Sequence, residues 1–232
     1  MSNNDTPHDL KSSILAIQDV ARDIRIIQIK TPESLTWQAG QFIYLQLQNL
    51  PSRPYSIANA PNESYIELHV KRGKGQTSNF IFEELEIGSD VYISSPSGNN
   101  IYEDGFSKKP VLVIAGGLGI APIKAITDYA LAKGHEEQFH LYWGTANKTE
   151  RYLDEHFHEM HKKHVNFSFT SVTDEPVTIK VDQDFDDLSH YQIFISGPPP
   201  MISAALPLLL DKGAQREKIS YDRHPEAANV KS

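Results

Sequence analysis

The residues with the clearest chemical potential are four consecutive ones, Arg53, Pro54, Tyr55 and Ser56. Arg53 offers a planar cation with five donors, which suits a phosphate or a pyrophosphate. Pro54 restricts the backbone, Tyr55 supplies a flat ring with a polar tip, and Ser56 supplies a small donor and acceptor. Together they could receive a ligand that carries both a phosphate and a flat ring system, such as a flavin. The alternative is an ordinary edge strand with a surface arginine, because a motif this short also arises by chance.

A second candidate site is the glycine-rich turn over residues 115–122, which joins a continuous apolar run to a helical pattern. Gly116, Gly117 and Gly119 let a ligand approach the backbone closely. Pro122 suits the first position of a helix, and the N–H groups at a helix start favour an anion such as a pyrophosphate. The spacing is not the G-x-G-x-x-G fingerprint, since Pro122 occupies the place of the third glycine. A tight turn without a ligand is the alternative.

A third candidate site is the loop over residues 196–201, which follows another apolar run. Gly197 permits a sharp bend, and three consecutive prolines stiffen the loop. Ligands of parallel sheets lie beyond the carboxyl ends of the strands. We therefore expect Ser196 to face the same crevice as the glycine-rich turn. A proline-rich helix entry with only a packing role is the alternative.

The composition narrows the class of protein. With 232 residues, of which 39% are hydrophobic and 22% charged, the chain suits a globular protein of one large or two ordinary domains. Its net charge of −8, without a basic block, disfavours nucleic-acid binding. The chain contains no cysteine, which excludes disulfides, thiolate zinc sites and cysteine-ligated iron–sulfur clusters within it. Any electrons handled here therefore belong on an organic cofactor or on a partner.

Two features concern the location of the protein. No apolar run approaches the ~18 residues that a membrane span needs. The polar first residues lack the apolar core of a secretory signal. We expect residues 1–12 to be a flexible tail and the protein to be cytoplasmic.

Residues 13–104 have the alternating hydrophobicity pattern of an antiparallel β domain. Apolar and polar residues alternate at residues 43–48 and 66–71, and shorter runs occupy residues 24–29 and 91–93. Turn-forming residues separate these runs, which is typical of a closed barrel or a sandwich. One helix is predicted over residues 78–85.

Residues 105–232 have a different hydrophobicity pattern. The continuous apolar run at residues 111–115 indicates a strand that is covered on both faces. Strands and helices then alternate, which predicts a five-stranded parallel α/β domain. The other predicted strands lie at residues 139–143, 165–172 and 191–195, and the helices at 122–133, 150–163 and 201–210. The acidic stretch at residues 182–187 is interpreted as a solvated loop or a helix end.

Four segments occur in the order in which they are found in one known family. They are residues 53–56 (RPYS), 75–78 (GQTS), 116–122 (GGLGIAP) and 196–201 (SGPPPM). Through these segments, and over nearly its whole length, the chain resembles the ferredoxin–NADP reductase superfamily, most of all the stand-alone bacterial NAD(P)H:flavin reductases. The resemblance implies a flavin-binding antiparallel β-barrel domain, residues 13–104, followed by an NAD(P)-binding α/β domain, residues 105–232.

The resemblance also implies roles for individual residues. Arg53 would hold the flavin phosphate, or would lie near the ribityl chain of a flavin without a phosphate. Tyr55 would pack on the isoalloxazine ring, and Ser56 would hydrogen-bond near flavin N5, the hydride acceptor. A helix N-terminus at residues 75–78 would bind the FAD phosphates. The implied cofactor-binding residues are Arg53, Pro54, Tyr55, Ser56, His69, Val70, Lys71, Gly75, Gln76, Thr77, Ser78, Gly116, Gly117, Leu118, Gly119, Ile120, Pro122, Gly144, Gly197, Pro198, Pro199 and Met201.

Three residues are implied close to the hydride transfer, namely Ser56, Ser196 and Asp222. Many members of the superfamily carry Cys at the position of Ser196, but the flavin performs the chemistry, so a thiol is not required there. Many members also end in an aromatic residue that stacks on the flavin. The tail after Tyr221 contains no Phe, Trp or Tyr, so nicotinamide could reach the flavin directly.

Other conspicuous residues have simpler explanations. The four histidines within residues 156–164 raise the hypothesis of a metal site, but their charged neighbours favour an exposed helix face. His69 is expected on the polar face of its strand rather than as a catalytic residue. Trp37 and Trp143 are expected to pack rather than to stack on a cofactor.

Three hypotheses of function remain open. In the first, NADH or NADPH reduces free FMN, FAD or riboflavin, which leaves as product. In the second, FAD is a bound prosthetic group, and electrons pass to a partner protein such as an oxygenase. In the third, the chain is a flavin-binding module that senses redox state without turnover. The short chain without an iron–sulfur cluster favours the first, and the sequence does not distinguish NADH from NADPH.

Overall fold

The first half of the chain forms a six-stranded antiparallel sheet in a computed structural model that describes residues 10–61 and 63–221. The sheet order is β4-β3-β6-β1-β2-β5. Strand β1 begins three residues before the expected start of the domain, and its two ends pair with different neighbours, β6 and β2. The elements are β1 Leu10–Ala21, β2 Ile24–Lys30, β3 Phe42–Gln46, β4 Arg53–Ser56, β5 Tyr65–Lys71, α1 Gln76–Glu83 and β6 Asp90–Ile93.

The sheet closes into a barrel because its two outer strands meet. Directly after β4, Ile57 forms a bridge with Leu68 of β5, and the backbone N–H of Ala58 donates to the carbonyl of Glu67 at 2.8 Å. Alternating residues of the strands point inward, and Ile43, for example, is fully buried there. The barrel predicted from the period-two alternation is thus confirmed.

The second half of the chain forms a five-stranded parallel sheet with helices on both faces, as predicted. Its first strand is buried on both faces, as the continuous apolar run indicated. The elements are β7 Val111–Gly116, α2 Ile120–Ala132, β8 Phe139–Gly144, α3 Asp154–Lys163, β9 Phe167–Val172, α4 Val177–Asp184, β10 Gln192–Ser196, α5 Pro199–Asp211 and β11 Ile219–Tyr221. Within the described ranges, no helix is long and apolar enough to cross a membrane.

The strand order of this sheet creates a crevice. The order is β11-β10-β7-β8-β9, so the chain proceeds from β7 to one side and later returns to β10 on the other side. The ends of these two strands are in register, with Ser196 beside Ala115. Open α/β sheets bind ligands at such a switch point, outside the carboxyl ends of the strands. The glycine-rich turn and the proline-rich loop both begin there.

Several boundaries differ from those predicted. Helix α3 begins at Asp154, because residues 148–150 form a separate short 3-10 turn. Helix α5 begins at Pro199, two residues earlier than expected. The acidic stretch contains the last turn of α4 and the loop after it, in agreement with its interpretation.

Candidate functional site

A cavity of about 420 Å³ lies at the seam between the barrel and the α/β domain. Its size falls within the range of small-molecule sites. Most of its lining residues belong to the segments singled out from the sequence, and Ala121 is the one that was not expected. The lining residues are Pro54, Tyr55, Ser56, His69, Val70, Lys71, Ser78, Gly116, Leu118, Gly119, Ala121, Ser196, Gly197, Pro198 and Pro199.

Strand β4 forms the barrel wall of this cavity. It pairs with β3 so that Tyr55 lies opposite Ile43 and Ser56 opposite Phe42. Tyr55 is half-buried against the barrel core, and this burial raises the pKa of its hydroxyl although the nearby charge of Arg53 opposes the shift. Arg53 is exposed at the start of the strand and does not line the cavity itself. The wall therefore presents a neutral ring with a cation at its outer end.

The start of α1 adds a polar edge to the cavity. Gly75 caps the helix, and a Cβ atom placed on it would meet nothing within 4 Å. Ser78 faces the cavity, where its hydroxyl oxygen accepts a hydrogen bond from the N–H of Gly73 at 2.7 Å. Thr77 belongs to the helix start that was expected to bind the phosphates; its side chain is buried and its hydroxyl donates to the carbonyl of Pro51 at 3.3 Å, so only its backbone is left for a ligand. Gln76 is exposed and does not line the cavity.

The glycine-rich turn forms the opposite wall. Gly117 has a φ of +53°, and the space beside its Cα is open. Gly119 has a different role, since a Cβ atom there would lie 2.1 Å from the carbonyl oxygen of Ser196. Glycine is therefore required at position 119 by the close packing of α2 on the loop after β10.

The expected position of Pro122 in α2 was wrong. Because α2 begins at Ile120, Pro122 is the third helical residue and not the first. The first four N–H groups of a helix have no partner within it, so a proline is still tolerated. Ile120 and Pro122 are buried and do not line the cavity, and the backbone N–H of Ile120 already donates to the carbonyls of Gly117 and Leu118.

The loop after β10 completes the crevice. Ser196 is buried and lines the cavity, and Gly197 lies against the backbone of Gly116. Met201 packs over Gly116 and does not line the cavity. Gly144, at the end of β8, pairs with Gly116 in the sheet and touches Val177, also away from the cavity. Asp222 lies outside the described residues.

Both tryptophans pack in the interior of the protein. Trp37 and Trp143 are buried, and the indole N–H of Trp143 donates to the carbonyl of Gly117 at 2.9 Å. Sequence reasoning missed this support of the glycine-rich turn.

Two of the histidines of α3 have hydrogen-bond partners. His156 bonds Asp128 and His161 bonds the carbonyl of Phe167. Among the residues that the structure describes, no group of three His, Asp or Glu side chains could hold a metal ion.

His69 lies on the outward, polar face of β5 as expected, but this face is buried. Its side chain is fully buried, and its ring nitrogens lie 2.7 Å from the hydroxyl of Tyr152 and 3.0 Å from Oε1 of Glu67. The polar face of β5 looks like a solvent face in the sequence, but the α/β domain covers it.

The chemistry of the cavity lining suits the flat rings and the phosphates of a flavin and of a nicotinamide nucleotide. Pro54 and Tyr55 offer apolar faces to flat rings, and the hydroxyls of Ser56 and Ser196 offer hydrogen bonds. The open side of Gly117 lies beside the N-terminus of α2, where backbone N–H groups favour a phosphate.

Comparisons with known proteins agree with this geometry. Residues 11–102 match the family model "Oxidoreductase FAD-binding domain", and residues 113–206 match "Oxidoreductase NAD-binding domain". The chain is 27% identical to an NAD(P)H-flavin reductase of Vibrio harveyi, over 93% of this chain and 98% of that protein. It is 29% identical to the reductase component of the naphthalene 1,2-dioxygenase/salicylate 5-hydroxylase systems of Ralstonia sp, over 84% of this chain.

The chain spans 62% of the length of that Ralstonia reductase. Among solved structures, the Amycolatopsis cytochrome P450 reductase GcoB superposes with a TM-score of 0.85 at 26% identity, over 92% of this chain and 69% of that one. The sequence motifs, the two folds and both family models agree. The chain therefore belongs to the ferredoxin–NADP reductase superfamily and is an oxidoreductase with a FAD-binding and an NAD-binding domain.

Proposed function

We propose that the protein is an NAD(P)H-dependent flavin reductase that transfers hydride from nicotinamide C4 to N5 of free FMN, FAD or riboflavin. The observation that carries this proposal is the shared cavity, in which Ser56 of the barrel and Gly116, Leu118 and Gly119 of the α/β domain line one space. The similarity to the Vibrio harveyi flavin reductase over nearly the full length of both chains supports it.

Each wall of the cavity has a distinct task in this proposal. A bound flavin supplies the hydride-accepting chemistry. Arg53 holds the phosphate of FMN or FAD, Tyr55 supports the ring, and the hydroxyl of Ser56 provides a hydrogen bond on the side of N5. The barrel, residues 13–104, thus serves the flavin.

The α/β domain, residues 105–232, serves the nicotinamide nucleotide. The N–H groups after Gly117 receive the pyrophosphate, and the loop that begins at Ser196 bounds the nicotinamide side. Holding two rings at near contact and excluding water between them accelerates the transfer without a general acid. Because the substrate would be a reduced nicotinamide nucleotide, we place the protein in the cytoplasm, where these nucleotides are supplied.

A second candidate function is that of a reductase with permanently bound FAD, which delivers electrons to an oxygenase or another acceptor protein. The cavity-facing Ser78 at the N-terminus of α1 favours it, because such a site suits the second phosphate of FAD. The similarity to the dioxygenase reductase of Ralstonia sp points in the same direction.

One experiment separates these functions. The purified protein is examined for bound flavin, and its oxidation of NADH and of NADPH is followed with and without added FMN, FAD or riboflavin. A colourless protein that oxidises the nicotinamide only when flavin is added supports the flavin reductase. Stoichiometric FAD in the purified protein supports the second function, and flavin binding without nicotinamide oxidation contradicts both.

A further inference from the structure

Three polar residues on the outward face of β5 contact the α/β domain. Glu67, His69 and Lys71 alternate along the strand, so their side chains share one side of the barrel. Each has a partner in the α/β domain. The distances are 3.2 Å from Glu67 Oε1 to Lys124 Nζ, 2.7 Å from His69 Nδ1 to the hydroxyl of Tyr152, and 2.8 Å from Lys71 Nζ to Glu150 Oε1.

The first two of these pairs are withdrawn from water. The side chains of Glu67 and Lys124 are only 10% and 13% exposed, and that of His69 is fully buried. Lys124 also contacts Asp128 at 3.1 Å and the carbonyl of Ala58 at 3.3 Å. A buried ion pair of this kind restricts geometry, because movement of the α/β domain away from the barrel would take the lysine cation from Glu67 in a region of low dielectric, while Lys124 would keep Asp128.

The protonation states follow from these contacts. Burial alone would raise the pKa of Glu67, but the hydrogen bond with His69 and the charge of Lys124 outweigh it and lower that pKa to about 2. Burial lowers the pKa of His69, which keeps its ring neutral at neutral pH. Because the carboxylate of Glu67 can only accept, Nε2 of His69 carries the proton and Nδ1 accepts from Tyr152.

The same elements form the walls of the candidate site. His69, Val70 and Lys71 of β5 line the cavity on the barrel side. Lys124 stands on α2, one turn after the glycine-rich turn that lines the cavity on the other side. The ion pair therefore connects the two walls directly, without passing through a loop.

We infer that Glu67 and Lys124 are positioning residues, whose buried ion pair fixes the α/β domain against the barrel and thereby sets the separation of the two rings that meet in the cavity. The effect on hydride transfer depends on the proposed function, whereas the effect on domain orientation does not. Neither residue is required to touch a flavin or a nicotinamide.

The orientation can be measured directly. Since the chain has no native cysteine, spin labels can be attached at Ile87→Cys in the barrel and Val165→Cys in the α/β domain, both of which are exposed positions. Pulsed electron paramagnetic resonance then gives the distribution of distances between the two labels, one in each domain. We expect a narrow distribution in the labelled parent protein and a broader or shifted one after Glu67→Gln and after Lys124→Met.

The control is Lys162→Met, which removes a lysine–glutamate pair that lies within α3 at 2.7 Å. It is expected to leave the distribution unchanged. Glu67→Gln is nearly isosteric and leaves Lys124 paired with Asp128, so it provides the measurement if Lys124→Met does not fold. An unchanged distribution in Glu67→Gln overturns the inference, whatever the activity of the protein.

The kinetic measurement uses the same variants. In stopped-flow reduction at saturating nicotinamide and flavin, we expect the hydride-transfer rate of Glu67→Gln to fall about 10- to 100-fold, because a displacement near 1 Å costs about that much. Flavin affinity should not change. A normal rate together with a broadened distribution refutes the link to ring separation. If even the parent protein transfers no hydride, the proposed function fails while the distance measurement still decides the role of the ion pair.

Discussion

Replacing Gly119 by alanine tests the contact that holds the two nucleotide-binding loops together. The added Cβ atom would lie 2.1 Å from the carbonyl oxygen of Ser196 and 2.6 Å from the backbone nitrogen of Gly197. Both neighbours are backbone atoms, so neither can rotate away. Real Cβ atoms stay beyond 3.0 Å from such neighbours, and α2 and the loop must therefore separate by roughly 1 Å, a displacement that costs about 100-fold in rate when it misplaces reacting groups.

The same overlap also carries a stability cost. Overpacking of a dense interior costs about 1–3 kcal/mol, which corresponds to a fall in Tm of roughly 3–9 °C for a chain of this size. We expect Gly119→Ala to show this fall by calorimetry and a reduction rate about 100-fold lower by stopped-flow absorbance. Gly105→Ala is the matched control, since a Cβ atom there meets nothing within 4 Å. A Gly119→Ala protein with parental Tm and parental rate would refute the reasoning, and a lower Tm with a parental rate would refute its kinetic part.

Three further predictions concern single side chains. Arg53→Ala should weaken the binding of FMN about 10- to 100-fold, the usual worth of a charge-assisted hydrogen bond. It should leave riboflavin binding almost unchanged in fluorescence titrations, and an equal loss for both flavins would argue against a phosphate contact. Ser56→Ala should lower the hydride-transfer rate about tenfold at saturating substrates, the worth of one hydrogen bond, and a change confined to flavin affinity would place the hydroxyl away from N5. Glu67 has a folded-state pKa of about 2, below its ordinary 4.5, so its stabilisation is present above pH 4.5 and is lost as the pH falls toward 2. The parent should lose up to about 3 kcal/mol of unfolding free energy over this interval, and urea denaturation should show a smaller loss for Glu67→Gln.

Local patterns in the sequence predicted the main elements because each element satisfies its own periodicity. The alternation around Ile43 required a half-buried strand, and the unbroken apolar run that begins at Val111 required a strand covered on both faces. The glycine-rich turn, the proline-rich loop and the residues around Tyr55 were all predicted to meet a ligand, and the structure brings them to one cavity.

What could not be predicted depends on contacts between distant parts of the chain. Strand β11 has only three residues, and α4 has only eight and buries only Val177 and Val181, so both rely on the sheet they pack against. The alternation that placed Ile66, Leu68 and Val70 inside the barrel also placed Glu67 and His69 outside it. It contained no signal that a second domain would bury that outer face.

The role of Gly119 was hidden for the same reason. A glycine next to a helix start suggests room for a ligand, whereas the neighbour that excludes a side chain is the carbonyl of Ser196, many residues later in the sequence. Only the pairing of β7 with β10 brings the two together.

Barrel closure has a consequence for association with other chains. The bridge between Ile57 and Leu68 links β4 and β5, which would otherwise be the edge strands, or margins, of the sheet. Unpaired margins invite the backbone of another molecule to add a strand, which is a common route to aggregation. In the parallel sheet, such margins remain at β9 and at the three residues of β11. A strand that added to the barrel between β4 and β5 would first have to displace the pairing of Ile57 with Leu68.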